Sequence, residues 1–113
     1  MDEEYVEAVL DLVERVPPGR VTTYGVVAEV LRERLGRGGP RSVGRVLAVA
    51  GGPVPWWRVV SASGEPPAAH RTEALRRLRT EGCPLTSARD DARVVLRSAV
   101  WWPVSAPGAD AGS

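Results

Sequence analysis

The spacing of apolar residues along the chain predicts four amphipathic helices separated by breaks rich in glycine and proline. Asp2 suits the cap of the first helix, and Pro17-Pro18-Gly19 ends it. Thr22 and Thr23 offer cap oxygens to the second helix, and Pro40 favours the first position of the third. The apolar stripes are Val6, Val9, Leu10, Val13 and Val16 in the first helix, Val27, Val30 and Leu31 in the second (24–35), Val43, Val46, Leu47 and Ala50 in the third (from residue 40), and Leu75 and Leu78 in the fourth (70–81).

Two short strands complete the predicted fold. Arg58-Val59-Val60 forms one of them, and residues 93–97 form the other. A chain of 113 residues has room for one hydrophobic core, which we assign to a domain over residues 1–104. Residues 105–113 are small and turn-rich, and we expect a disordered C-terminal tail there. The prediction is therefore a mostly α domain with short β-strands.

The second and third helices match the outline of a helix-turn-helix, because a short glycine-rich turn, residues 36–39, joins them. The third helix presents Arg41, Ser42 and Arg45 outward. An ordinary helical hairpin with solvated arginines would give the same pattern. Charge adds a second observation, since residues 15–64 hold eight arginines against two acids, whereas residues 1–14 hold six acids and no base. A basic central segment indicates a polyanionic partner.

Several classes of site are excluded by composition. The single cysteine, Cys83, rules out an internal disulfide, and with the single histidine, His70, it leaves too few ligands for a zinc site. We expect neither a metal nor another cofactor. No apolar run approaches the roughly 20 residues of a membrane-spanning helix, and the acidic start has the wrong sign for a secretory signal. We therefore expect a cytoplasmic protein without a membrane partner, acting as a monomer.

Two adjacent tryptophans stand out in the stretch Pro55-Trp56-Trp57-Arg58-Val59-Val60, which holds half of the chain's four tryptophans. Neighbouring side chains of a strand point to opposite faces, so two adjacent indoles cannot both fill one core. At least one of them is predicted to contact something other than the core.

Three segments together resemble the DNA-binding domain of the O6-alkylguanine-DNA alkyltransferase family: Val16-Pro-Pro-Gly-Arg-Val-Thr-Thr-Tyr-Gly25, Arg41-Ser-Val-Gly-Arg45, and Pro55-Trp-Trp-Arg-Val-Val60. The resemblance covers roughly residues 3–104 and implies a winged helix-turn-helix. Active members read Pro-Cys-His-Arg-Val in the third segment, where the cysteine accepts the alkyl group. Trp56 and Trp57 stand in place of that cysteine and histidine, and an indole cannot act as the thiolate nucleophile.

The resemblance therefore implies a protein that is not an enzyme, similar to the alkyltransferase-like proteins, which bind O6-alkylguanine in DNA without repairing it. Glu81 matches the third member of the family's triad but has no histidine to orient. Cys83 lies far along the chain from the motif and is interpreted as a structural or incidental thiol. We expect no alkyl transfer.

The same resemblance assigns DNA contacts to the second and third helices. Arg41 matches an arginine finger that fills the gap left by a flipped base, and Tyr24 matches a tyrosine that helps rotate the nucleotide outward. A Tyr24 that merely packs under the turn is the alternative. Ser42, Gly44 and Arg45 are expected on the face that enters the minor groove, where base reading is degenerate.

A lesion pocket is implied around Pro55, Trp56, Trp57, Arg58 and Val59, with Trp56 as a wall for the flipped base. For Trp57 a core role is at least as well supported, and Arg58 equally suits a brace to backbone carbonyls. The loop over residues 63–71 is the poorest match to the family, and its Arg71 is interpreted as either a pocket charge or a solvated side chain.

The function implied is a sensor that binds double-stranded DNA containing O6-alkylguanine, flips the lesion into a tryptophan-lined pocket and flags it for nucleotide excision repair proteins. Two rivals stay open on the residues. A winged-helix regulator would prefer an operator sequence and be indifferent to alkylation, and a true alkyltransferase would require the cysteine that Trp56 replaces.

Overall fold

The computed structural model describes residues 2–103, so the tail predicted for residues 105–113 lies outside the described part. The elements in chain order are helix α1 Glu3–Glu14, strand β1 Thr22–Thr23, helix α2 Tyr24–Leu35, helix α3 Pro40–Ala50, a 3-10 turn Trp56–Arg58, strand β2 Val59–Val60, a second 3-10 turn Ala68–His70, helix α4 Arg71–Thr80 and helix α5 Leu96–Ala99. This mostly helical fold with one two-stranded sheet confirms the predicted class and is compatible with a winged helix.

The helix ends follow the capping chemistry predicted for them. Asp2 Oδ1 accepts a hydrogen bond from Tyr5 N at 3.3 Å, and Thr23 Oγ1 accepts one from Val26 N at 3.1 Å. Gly36 closes α2 in the left-handed conformation, with φ 74°. Helix α4 begins at Arg71 rather than at His70, because His70 has φ −132° and ψ 36° and serves as its cap residue.

The strand predicted over residues 93–97 is wrong. Val94 forms only an isolated antiparallel bridge with Leu85, and the chain then turns into α5. The turn is closed by hydrogen bonds from Ser98 N and Ala99 N to the carbonyl of Val95, both 3.1 Å. Of the apolar run, Val94 is buried and Val95 and Leu96 are partly buried, and this local packing covers them without strand pairing. Arg58 also leaves the predicted strand and ends a 3-10 turn.

The small sheet separates two hydrophobic clusters. Strand β1 pairs in parallel with β2, with Thr22 opposite Val59 and Thr23 opposite Val60. Val59 packs into the cluster built by α1, α2 and α3, whereas its neighbour Val60 packs into a second cluster with Leu78 and Cys83. The alternation of a strand thus places adjacent valines in different cores.

The turn between α2 and α3 fixes how α3 lies on the core. Gly38 has φ 92°, a conformation that favours glycine, and a side chain there would clash with the ring of Tyr5. Tyr5 is 5% exposed and belongs to the main core, so α1 and the turn are in close contact. No helix within residues 2–103 combines the length and the hydropathy that crossing a bilayer requires.

Candidate nucleic-acid interface

The solvent side of α3 is basic and free of carboxylates. The helix sequence PRSVGRVLAVA contains no acidic residue. Arg41 and Arg45, four residues apart and so on one face, are both exposed, and neither has an ion-pair partner within residues 2–103. Val43 and Val46 on the opposite face are buried. Helix α3 is therefore held by its apolar face while both guanidinium groups face solvent.

A cavity of about 300 Å³ opens beside this helix. One side is formed by α2 and α3, and the other by the end of the loop that leads into α4. Trp56 lies between the two sides. The residues that line the cavity are Tyr24, Gly44, Leu47, Ala48, Gly52, Trp56, Pro67, Ala69 and His70.

Tyr24 begins α2 and brings its ring to the cavity wall next to α3. It is half-buried, and burial raises the pKa of its hydroxyl above the ordinary value, so the group stays protonated at neutral pH. A β-carbon built on Gly44 would lie 3.9 Å from Tyr24 Cε1, an ordinary contact distance. The fold itself therefore does not require a glycine at position 44.

Trp56 lines the cavity from a 3-10 turn, not from a strand. Its ring centroid lies 5.7 Å from that of Trp57, and the two planes meet at 89°. Both indoles are half-buried. The strand alternation used to interpret the pair does not apply to this turn, yet the two side chains serve different surroundings, since Trp57 is not among the residues that line this cavity.

Trp57 belongs instead to a charged cluster at the end of α4. Its indole Nε1 donates to Glu81 Oε2 at 3.0 Å, and the guanidinium of Arg77 lies 4.4 Å from its ring centroid. Glu81 also accepts a hydrogen bond from the backbone N of Gly19 at 3.2 Å, which ties α4 to the turn after α1. Glu81 has no histidine to orient, and its carboxylate accepts hydrogen bonds from these other donors instead.

Arg58 completes this cluster as a brace. Its Nη2 lies 2.6 Å from Glu81 Oε2, and its Nη1 donates to the carbonyl of Val16 at 2.8 Å. The side chains of the pair are only 13% and 14% exposed. Burial by itself raises the pKa of Glu81, but the hydrogen bonds from Arg58, Trp57 and Gly19 outweigh it and leave that pKa below the ordinary value.

Of the five residues predicted to form the lesion pocket, the structure brings only Trp56 to the cavity wall. Val59 is fully buried in the core because it is a strand residue, and Arg58 is engaged by Glu81. A different cavity, of about 350 Å³, is lined by four of the five: Pro55, Trp56, Trp57 and Arg58. Ser42 and Arg45 border a third cavity, toward Tyr5 of α1.

The loop before α4 supplies a site residue that the sequence did not single out. His70 lines the cavity, and its ring centroid lies 5.6 Å from that of Trp56 at an interplanar angle of 59°. His70 is the chain's single histidine and follows Pro66-Pro67, in the loop that comes after the tryptophan motif. This position was the only signal for it in the sequence. Arg71 is neither a pocket charge nor a solvated side chain, because it donates to the carbonyls of Asp90 and Ala92.

Cys83 lies in the second core cluster, away from the cavity. It is 6% exposed, and burial raises the pKa of its thiol to about 11. A thiol in this environment is almost entirely protonated at neutral pH and is a poor nucleophile.

Comparison with known families agrees with this arrangement. The family model described as the DNA-binding domain of 6-O-methylguanine DNA methyltransferase matches residues 4–83. The chain belongs to this family. The match spans α1 through α4 and so contains α3, Trp56 and Glu81. None of the curated proteins matches the chain.

Two solved structures resemble this family member over most of its length. One is the crystal structure of Schizosaccharomyces pombe Atl1 in complex with damaged DNA containing O6-carboxymethylguanine, with 26% identity and a TM-score of 0.74. The other is S. pombe ATL in complex with DNA, with 25% identity and a TM-score of 0.74. Each alignment covers 91% of this chain and 99% of the other chain.

Proposed function

We propose that this protein is a non-enzymatic sensor that binds O6-alkylguanine in duplex DNA. The observation that carries the proposal is Trp56 in the wall of a cavity that opens beside the basic, carboxylate-free helix α3. Similarity to a protein crystallised with O6-carboxymethylguanine DNA supports the same reading. The coincidence of a DNA-compatible surface with an adjacent apolar cavity favours a lesion sensor over a regulator that reads an operator.

In this proposal the protein reaches the lesion by flipping the nucleotide into this cavity. A base on which a protein acts inside a duplex must leave the stack, at a cost of a few kcal/mol. Stacking on an aromatic side chain returns about 1–3 kcal/mol per base, and Trp56 is placed to provide it. The mostly apolar wall formed by Leu47, Ala48 and Pro67 suits an alkyl substituent.

Helix α3 is to supply the contacts that hold the duplex open. Arg41 is exposed at the first turn, where its planar guanidinium can enter the gap in the stack. Tyr24, at the cavity wall, is to crowd the phosphate of the flipped nucleotide. Ser42 and Arg45 extend the contact along the minor groove.

Gly44 supports this use of the helix. Glycine inside a helix costs about 0.5–1 kcal/mol relative to alanine. Because an added β-carbon would meet only an ordinary contact with Tyr24, packing gives no reason to accept that cost. Close approach of DNA to the helix backbone does give a reason.

The chemistry of the site supports binding without transfer. Trp56 carries no nucleophilic atom, and the thiol of Cys83 is buried with its pKa raised to about 11. The bound lesion is therefore to be left intact. By resemblance to the alkyltransferase-like proteins, we propose that nucleotide excision repair proteins then receive it.

The test is equilibrium binding to a short duplex with one O6-methylguanine and to its unmodified twin, at one salt concentration because phosphate contacts make affinity salt-dependent. A methyl-transfer assay runs on the same samples. We expect tighter binding to the lesion with the methyl group retained on DNA. Equal affinity for both duplexes would favour the regulator, and loss of the methyl group would contradict a non-enzymatic sensor.

Arg41→Ala gives a second test. Because Arg41 is exposed and outside the core, the variant should keep the wild-type unfolding temperature while losing lesion affinity by about tenfold. Arg34→Ala, on the exposed side of α2, is the matched control and should lose less. An Arg41→Ala variant with wild-type lesion affinity would remove the arginine finger from the proposal.

A further inference from the structure

One polar side chain at the cavity, that of His70, has no role in the flipping mechanism. No arginine and no carboxylate belongs to the residues that line it within the described chain. The polar side-chain groups there are the hydroxyl of Tyr24, the indole N–H of Trp56 and the imidazole of His70. Of these, Tyr24 and Trp56 already take part in the proposed flipping of the base, and His70 does not.

His70 is held in place by its neighbours along the chain while its own side chain stays available. Its backbone N donates to the carbonyl of Pro67 at 3.1 Å, and the next residue, Arg71, is tied to the carbonyl of Ala92 at 2.9 Å. The His70 side chain is exposed and makes no capping hydrogen bond to α4. Its ring nitrogens can therefore bond a ligand in the cavity.

The rings of His70 and Trp56 are neighbours at the cavity, and this limits where such a hydrogen bond can form. The His70 ring is tilted against Trp56, with centroids 5.6 Å apart and planes at 59°. A guanine stacked on Trp56 would present its O6 substituent within the same cavity that His70 borders. The imidazole and the substituent would thus border the same space.

We propose that His70 determines which O6 substituents this protein prefers, by donating a hydrogen bond to substituents that carry an anionic or acceptor group. This inference rests on the proposed lesion binding. Carboxymethyl is the representative of the preferred class, and an aliphatic group of the same shape, isobutyl, represents the disfavoured class. An imidazole always carries at least one N–H donor, and its hydrogen bond to an anionic acceptor is stronger than one between neutral groups, so a carboxylate should gain most.

The charged groups on the surrounding elements do not compete for this role. Tyr24 stays uncharged at neutral pH because burial raises the pKa of its hydroxyl. Helix α3 brings no carboxylate to the cavity. The charges on α4 and the Trp56 turn are engaged within the protein: Arg71 with backbone carbonyls, Glu73 with Arg76 and Arg77, and Arg58 with Glu81.

The experiment compares four duplexes that differ only at one guanine: unmodified, O6-methyl, O6-isobutyl and O6-carboxymethyl. Dissociation constants are measured at one pH and one salt concentration for the wild type, His70→Ala and His70→Gln. Thr72→Ala, an exposed change two residues on that does not line the cavity, is the matched control. The readout is the ratio of the isobutyl to the carboxymethyl dissociation constant, which cancels effects on phosphate contacts.

For the wild type and Thr72→Ala, we expect this ratio to be about tenfold, the order of one charge-assisted hydrogen bond. His70→Ala should abolish the preference, and His70→Gln should retain part of it, because the amide of glutamine also donates a hydrogen bond. An unchanged ratio in His70→Ala overturns the role of His70 even if all alkylated duplexes still bind more tightly than the unmodified one. Equal binding of all four duplexes by the wild type overturns lesion sensing itself.

Discussion

Trp56 and Trp57 are consecutive and equally half-buried, yet they belong to different parts of the molecule. Trp56 faces a cavity lined mostly by apolar side chains and has the exposed His70 as its ring neighbour. Trp57 donates its indole N–H to Glu81 and stacks under Arg77. The 3-10 turn that carries both rings sets them at 89°, so one residue step separates the wall of this cavity from a structural brace.

The difference teaches how this fold keeps its geometry after the catalytic residue types are absent. Glu81 gathers donors from two distant segments: Gly19 in the turn after α1, and the turn that carries Trp57 and Arg58. The donor from position 57 is an indole N–H. The brace holds the turn, and the turn holds Trp56 against the cavity.

The largest effect should come from breaking the brace with Glu81→Ala. Removing one partner of a nearly buried ion pair leaves the Arg58 guanidinium uncompensated, and we expect a loss of about 3 kcal/mol in the free energy of unfolding. Urea denaturation measures it. Glu65→Ala, an exposed glutamate that forms no ion pair within residues 2–103, is the control and should lose little. A loss below 1 kcal/mol for Glu81→Ala would contradict the brace.

Trp57→Ala should follow, with a loss of about 2 kcal/mol in the free energy of unfolding, since a half-buried indole and one hydrogen bond disappear. Under conditions where the variant is folded, the preference for O6-methylguanine duplex over plain duplex should stay within about twofold of the wild type. Trp57→His, which keeps a ring N–H donor, should be less destabilised than Trp57→Ala. A lesion preference that collapses in Trp57→Ala would erase the distinction between the two tryptophans.

Trp56→Ala should show the opposite balance. We expect the lesion preference to fall by about tenfold, in line with loss of one stacked base, while the free energy of unfolding changes by about 1 kcal/mol or less. Parallel binding and denaturation curves on Trp56→Ala and Trp57→Ala give the two-by-two comparison directly. Equal losses of stability in both variants would argue that Trp56 is also a brace.

Gly44→Ala sharpens the contrast between fold and function. The variant should gain about 0.5–1 kcal/mol in the free energy of unfolding, because the added β-carbon meets only an ordinary contact with Tyr24. Affinity for both alkylated and plain duplexes should fall, because the methyl group keeps DNA from the helix. Tighter DNA binding in Gly44→Ala would show that α3 does not approach DNA along this face.

The smallest effect concerns the pH dependence of the brace. The folded-state pKa of Glu81 is lowered, despite burial, by its hydrogen bonds, so its contribution is complete above the unfolded pKa, about 4.3, and is lost as the pH falls through the folded value. Stability of the wild type relative to Glu81→Gln should therefore decrease between about pH 5 and pH 3. If the difference in the free energy of unfolding between the wild type and Glu81→Gln stays constant across this range, the ionised Glu81 carboxylate is not stabilised by its hydrogen-bond partners.

The periodic and capped parts of the chain are predictable from sequence because their signals are local. Asp2, Thr23 and Gly36 mark helix ends by chemistry that acts within a few residues, and the apolar stripe of α3 indicates its buried face directly. The family motif likewise locates Trp56. The strand prediction for residues 93–97 failed because an apolar run indicates burial and not whether the residues lie in a strand, a turn or a helix.

The composition of the cavity wall was less accessible, because it depends on contacts between segments far apart in the chain. The motif stretch was predicted to form the pocket as a unit, but a 3-10 turn and a strand send its members in different directions: Trp56 to the cavity, Trp57 and Arg58 to Glu81, and Val59 to the core. His70 reaches the cavity only through the course of the loop after Pro67. The only sequence signal for His70 is its position after Pro66-Pro67, and that position does not indicate that its ring lies next to Trp56.

The burial of Cys83 affects how this protein reacts with alkylating agents, the reagents that form O6-alkylguanine in DNA. Alkylating agents attack thiolates readily, and a thiol with a pKa of about 11 is ionised in only about one molecule in ten thousand at pH 7. Its 6% exposure limits access further. The chain thus offers no reactive sulfur at Cys83, and alkylating agents should leave this residue largely unmodified under conditions in which they alkylate DNA.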